Sequence, residues 1–230
     1  MKVIYCQECL YSLFAEPLEA VEESAPDKSG LEYIYYKIQG ASFSELKQDI
    51  FDRRGPLTSN GQRVSFYTCF HLRWKYDSTY TLKLQDSDDT VVLAVAFKNI
   101  VISISHKTTA PVLGDAVKLP SRDLDLWQRY FDKLKQHELD HVSISSDSKT
   151  LEVLKTEVAS IKEVKFGFNN LPPRSKSLAG DIIALAVNTV GNKYTSLIQK
   201  RYELFDELTK NGEEDYNKDE VIRKVFEATI

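Results

Sequence analysis

His137, Glu138 and His141 lie in the run 136-QHELDH-141, and their types and spacing are those of a metal-dependent hydrolytic site. Two histidines one helical turn apart project from one face, so both imidazoles reach a single zinc ion at the ~2.0–2.1 Å zinc–nitrogen distance. The glutamate beside them is placed to take a proton from a water whose pKa the metal lowers to about 7, which is the nucleophile that amide hydrolysis requires. With four histidines in 230 residues, a shuffled chain holds this pattern with an expectation of roughly one in two hundred. The motif therefore needs support from its surroundings.

Those surroundings are helical. Leu124, Trp127, Phe131, Leu134, Glu138 and His141 recur at steps of three and four, a single stripe that keeps Asp132, Lys133, Lys135 and Gln136 on the solvated side. The histidines continue the apolar stripe and face inward, where a metal would be enclosed. The bland alternative is a pair of histidines satisfied in a core or left at a surface.

Catalytic zinc takes a third protein ligand and leaves one position open. Asp147 follows His141 at the six-residue spacing of the HExxHxxGxxH/D class, yet Ile144 stands where that class bends on glycine, and the favoured reading of Asp147 is the N-cap of a helix starting near Lys149. Glu152, Glu157, Glu213 and Glu214 have suitable chemistry without a spacing argument. Tyr202, on a long helix further on, is a candidate donor to an oxyanion, with buried packing as its ordinary role.

The elements that must position these residues follow from periodicity. LEYIYYKIQG at 31–40 is strand-like, and Ser42 with Glu45 forms a capping box opening the helix SFSELKQDIFDRR, which Gly55-Pro56 stops. After an Asn60-Gly61 turn, Phe66, Thr68, Phe70, Leu72, Trp74 and Tyr76 alternate on one face of a half-buried strand. YTLKLQ and VVLAVAFKNIVISIS read as further strands. Beyond Pro120 the period is helical: the stripe above, then TLEVLKTEVASIKEV, then a helix over roughly 181–210 with Ile183, Val187, Val190, Tyr194, Leu197, Arg201, Phe205 and Leu208 near one face. The expected fold is α+β, a mainly antiparallel sheet with one short helix followed by a helical half. Residues 1–30, with the acidic run EPLEAVEESAPDKSG, read as a flexible lead-in to a single domain over 31–230.

In their order, the segments 36-YKIQG-40, Gly55-Pro56, 68-TCFHLRWKY-76 and 127-WQRYFDKLKQHELDH-141 resemble a bacterial family of zinc-dependent, largely secreted proteases first catalogued as a domain of unknown function. The only two tryptophans, Trp74 and Trp127, fall inside those segments. The resemblance covers about residues 31–212. It implies a zincin-like metallopeptidase holding one zinc ion and cutting protein or peptide substrates. The family tends to end in a segment similar to Tyr-Asp-x-x-Thr-x-His-Gly. Here 205-FDELTKNG-212 keeps Asp206, Thr209 and Gly212 but has Asn211 at the histidine position, so the third ligand implied by the resemblance falls on Asn211. The residues themselves read first as a helix C-cap, since Asn211 and Gly212 both tolerate the left-handed conformation found there. A catalytically inactive relative serving as a binding or structural module is the alternative.

Other signals bound the function. Thirty basic and thirty-four acidic residues give a net charge of −4 with no basic run, which argues against a nucleic-acid partner. No apolar window approaches the ~20 residues of a membrane span. The N-terminus is interrupted by Gln7 and Glu8 where a signal peptide is unbroken, so the sequence reads as cytoplasmic although the family it resembles is largely exported. Cys6 and Cys9 form a lone CxxC that Cys69 and His71 would complete as a zinc site; reduced thiols are the simpler reading. Asp86, Asp88 and Asp89 mark a turn, and His106 reads as a surface histidine at a strand end.

Overall fold

The structure, a computed structural model, describes residues 2–5, 20–23, 31–58, 61–84, 90–167 and 178–229. Its strands are β1 (Lys2–Tyr5), β2 (Ala20–Glu23), β3 (Leu31–Ile38), β4 (Tyr67–Leu84), β5 (Thr90–Leu113) and β6 (Glu163–Gly167). Its helices are α1 (Phe43–Asp49), α2 (Ser121–Ser145), α3 (Ser148–Ser160), α4 (Leu178–Thr209) and α5 (Lys218–Glu227). The fold is α+β, with the sheet and short helix first and the helical part second. The strands are ordered β1-β4-β5-β3-β2, and β6 pairs with β5 off that path. No helix among the described residues is long and apolar enough to cross a membrane.

The chain divides into two compact units, one of Met1–Ile4, Leu72–Ser103 and Ser146–Leu197, the other of Tyr5–His71, Ile104–Ser145 and Ile198–Ile230. In the first, Leu93 and Val95 of β5 pack with Ile182 and Ile183 of α4. Gly191 there lets the helix backbone lie against Trp74, since an added Cβ would stand 2.1 Å from the indole. Residues 163–164, expected to continue a helix, instead enter β6 and pair antiparallel with β5, Val164 opposite Leu93. The β-branched side chain gains more from its cross-strand neighbour than from extending a helix that already ends at Ile161.

The second unit carries the candidate site. β3 runs parallel to β5, Leu31 opposite His106 through Ile38 opposite Leu113, and antiparallel to β2. Two of the short strands thus fall inside the 1–30 stretch read as a lead-in; the rest of that stretch, with Cys6 and Cys9, lies outside the described residues, as do Asp86, Asp88 and Asp89. The capping box is present in a shifted form: Ser42 Oγ accepts from Glu45 N, and Glu45 Oε2 accepts from Ala41 N. The last turn of that segment widens, with Gly55 N bonding Ile50 O at 2.7 Å. Gly55 has to be glycine, because a Cβ there would sit 2.4 Å from the carbonyl oxygen of Val64.

Trp127 of α2 closes a core with Tyr36, Ile38, Leu46 and Ile50, while Leu134 packs with Phe66 and Ala110. Phe66, just before β4, and Thr68 and Phe70 within it are buried as expected, but Cys69 between the last two is buried as well, so strict alternation does not hold in this unit. The α2 stripe starts at Trp127: Leu124, at 46 % exposure, lies outside it.

Candidate metal centre

Helix α2 delivers His137, Glu138 and His141 as the spacing predicts, all three buried. They form a group with ligand atoms within 4.8 Å of one another, a set able to hold a metal ion. The imidazoles turn their Nε2 atoms toward each other at 3.1 Å. Asp206 of α4 completes the arrangement, its Oδ1 standing 2.9 Å from each Nε2. Ligands 2.0–2.1 Å from a tetrahedral zinc stand roughly 3.3 Å apart, so the three atoms form a slightly contracted face of such a site.

The tautomer of His137 follows from its surroundings. Thr209 Oγ1 donates to Phe205 O at 2.7 Å and lies 3.4 Å from His137 Nδ1, so its lone pair accepts from Nδ1–H. That leaves the Nε2 lone pair directed at His141 and Asp206. His137 is also stacked on Phe205, with ring centroids 4.8 Å apart and planes 19° from parallel. Two lone pairs and a carboxylate oxygen at these distances repel one another unless a proton or a cation sits among them. Burial pushes the pKa of His141 down, but the Asp206 carboxylate, with Glu138 and Asp140, outweighs it and raises the pKa above its ordinary value. Burial likewise pushes Asp206 up, and the two imidazoles more than reverse this, holding its carboxyl well below the usual range. The donor set fits a divalent cation of the zinc type on chemistry as well as distance.

The other side of α2 is locked. Asp140, 1 % exposed, accepts from Lys218 Nζ at 2.6 Å, Tyr216 OH at 2.9 Å and Gln136 Nε2 at 3.0 Å, so its buried charge is fully compensated. Between α4 and α5 the chain passes His137 through Lys210, Asn211 and Gly212, with φ of 51°, 53° and 76°. A Cβ on Gly212 would lie 2.8 Å from His137 Cγ, so only glycine passes here.

Asn211 therefore takes the C-cap geometry. Its backbone N donates to Asp206 O, and the residue lines the cavity beside the histidines. Asp147 lies in the other unit as the N-cap of α3, its Oδ2 accepting from Thr150 N and Oγ1 at 2.8 and 2.7 Å. Tyr202 is buried and donates its hydroxyl proton to Ser145 Oγ at 2.9 Å. His106 is not at the surface: it lies within β5 at 3 % exposure, its Nε2 2.6 Å from Ser145 Oγ, and burial lowers its pKa to about 4. Cys69 is a buried free thiol. Glu152 and Glu157 pair with Lys155 and Lys193.

Asp206 and Thr209 were not singled out as site residues by sequence reasoning. The available signal was the 205-FDELT-209 run, where an acid and a threonine flank the buried face of a helix at i and i+3. A cavity of about 590 Å³ opens onto the three donors and Glu138, walled by residues 61–68, α2 and α4 and including Arg63, Phe66 and Glu203.

The model of a family described as a bacterial protein of unknown function (DUF922) matches residues 33–150, half of the 230-residue chain. The matched stretch contains His137, Glu138 and His141 and stops before Asp206. No curated protein and no solved structure matches the chain.

Proposed function

The chain belongs to the bacterial DUF922 family, and within it we propose a zinc-dependent metallopeptidase acting on protein or peptide substrates. The observation that carries the proposal is the triangle of His137 Nε2, His141 Nε2 and Asp206 Oδ1, with edges of 3.1, 2.9 and 2.9 Å, opening on a cavity that Glu138 also lines. His137, His141 and Asp206 would hold the ion. Zinc supplies a Lewis acid that polarises a carbonyl and lowers the pKa of a water to about 7.

The remaining steps belong to the protein. Glu138 stands beside the imidazoles, where its carboxylate accepts a proton from the attacking water and returns it to the departing amine. Thr209 holds His137 in the tautomer that leaves Nε2 free. Residues 61–68 form one wall of the cavity beside these groups.

The inactive-relative alternative draws on Asn211 replacing a histidine. Asp206 supplies the missing donor from the preceding turn of helix, which favours the enzyme. Zinc content of the purified full-length protein, measured with wild type, His141→Ala and Glu138→Gln, tests the reading. One equivalent in wild type, its loss in His141→Ala, and peptide cleavage lost in Glu138→Gln with zinc retained are the expected results. A folded wild-type protein that takes up no zinc refutes it.

A further inference from the structure

The two histidines are oriented in different ways. His137 has its Nδ1–H held by Thr209, the usual outer hydrogen bond of a ligating imidazole. His141 Nδ1 is buried and has no hydrogen-bond partner among the described residues. Nothing on that side of the ring fixes its rotation by a hydrogen bond, so packing must do so. Phe205 meets it edge-on at 5.1 Å, and Tyr202 lies against it at 4.3 Å with planes 50° apart.

Tyr202 is in turn held from its far end. Ser145, 0 % exposed at the end of α2, donates its hydroxyl proton to the carbonyls of His141 and Val142, both at 3.1 Å. With its one proton spent, its two lone pairs accept from Tyr202 OH at 2.9 Å and His106 Nε2–H at 2.6 Å. Every capacity of this hydroxyl is used. His106 is a neutral donor at working pH, since burial keeps it uncharged. Phe70 closes the remaining side of Tyr202, edge-on at 5.5 Å.

We infer that Tyr202, pinned through Ser145 and His106, is a positioning residue that sets the ring of His141 so that its Nε2 meets Asp206 and His137. This rests on the metal site proposed above. It assigns a role to a buried Ser–His–Tyr cluster that the peptidase chemistry does not itself use, and it replaces an oxyanion contact for Tyr202 with an orienting one.

The test is zinc affinity of the full chain, by competition with a chromophoric chelator, for Tyr202→Phe, Ser145→Ala and a control, Tyr36→Phe. The control removes another buried phenol hydrogen bond, from Tyr36 OH to Ser65 O at 2.8 Å, that touches neither histidine. Melting temperature is recorded in parallel, because a merely structural loss would lower all three without moving affinity. Tyr202→Phe and Ser145→Ala are expected to bind zinc roughly 10-fold more weakly, with the control unchanged. In metal-free protein, the His141 imidazole NMR signals should sharpen less in the two variants than in wild type. Folded variants with wild-type zinc affinity and wild-type His141 signals overturn the inference while leaving the metal site standing. A zinc-free wild type overturns both.

Discussion

Removing the Asp206 carboxylate separates a metal centre from a hydrogen-bonded cluster. In Asp206→Ala one of the three donors at the triangle disappears, while His137 keeps its bond to Thr209 and its stacking on Phe205. Structural zinc sites with four ligands are worth about 10–16 kcal/mol, so one ligand carries roughly 3–4 kcal/mol. At 1.4 kcal/mol per tenfold, that is a loss of roughly 140- to 700-fold in zinc affinity. The stability cost without metal is smaller, because Asp206 is 36 % exposed and water replaces part of its interaction. The assay is chelator competition for affinity beside urea denaturation of the metal-free protein. Asn211→Ala, which alters the cavity rim without touching the triangle, should bind zinc like wild type. The reasoning is refuted if Asp206→Ala binds zinc within about threefold of wild type, or if Asn211→Ala is the variant that loses it.

Three other outcomes follow from the same geometry. Glu138→Gln keeps the shape of a side chain that lines the cavity and should retain zinc while peptide cleavage falls by about 10²- to 10⁴-fold, measured as kcat/KM on a fluorogenic peptide. Gly212→Ala places a Cβ 2.8 Å from His137 Cγ at a φ of 76°, so unfolding free energy should drop by about 2 kcal/mol or more, with weaker zinc binding among the molecules that fold. His106 has its pKa lowered from 6.5 to about 4, so the unfolded chain binds the proton first as pH falls. Its contribution to stability is complete above about pH 6.5 and is lost on acidification toward pH 4, a difference of about 3 kcal/mol. Urea midpoints at pH 7 and pH 4.5 should therefore converge for His106→Gln relative to wild type, and equal pH dependence in the two proteins would exclude His106 as the source.

What the sequence makes legible is what periodicity controls. The α2 stripe from Trp127 to His141 is readable because a 3.6-residue repeat of apolar side chains needs no knowledge of its partner. The same holds for the long helix α4 and for the burial of Phe66, Thr68 and Phe70, although the intervening Cys69 is buried too. The errors come from places where the partner decides. Val164 joins a strand because Leu93 is opposite it. Leu208, expected on or near the shared face of α4, is 40 % exposed, because the buried face ends as Tyr202, Phe205 and Thr209, a step of four from 205 in place of three. His106 has no local pattern marking it as buried, and its partner Ser145 is 39 residues away.

The proposed third ligand is the sharpest case. Asp206 is 65 residues beyond His141, and neither spacing nor periodicity links them. Searching near the motif selects Asp147, whose carboxylate is taken by a helix cap, and following the family pattern selects Asn211, whose backbone conformation is that of a chain reversal. Both choices treat the ligand as a property of a local motif. In the proposed site it is a property of helix packing: Phe205 stacks on His137 and Thr209 bonds it from the buried face of α4, and the residue next to Phe205 on the cavity side is then brought to both Nε2 atoms. An acid at 206 is useful only with Phe205 and Thr209 in place on either side of it. The informative unit in this part of the sequence is therefore Phe205-Asp206-x-x-Thr209 as a whole, and substituting Asn211 leaves that unit untouched.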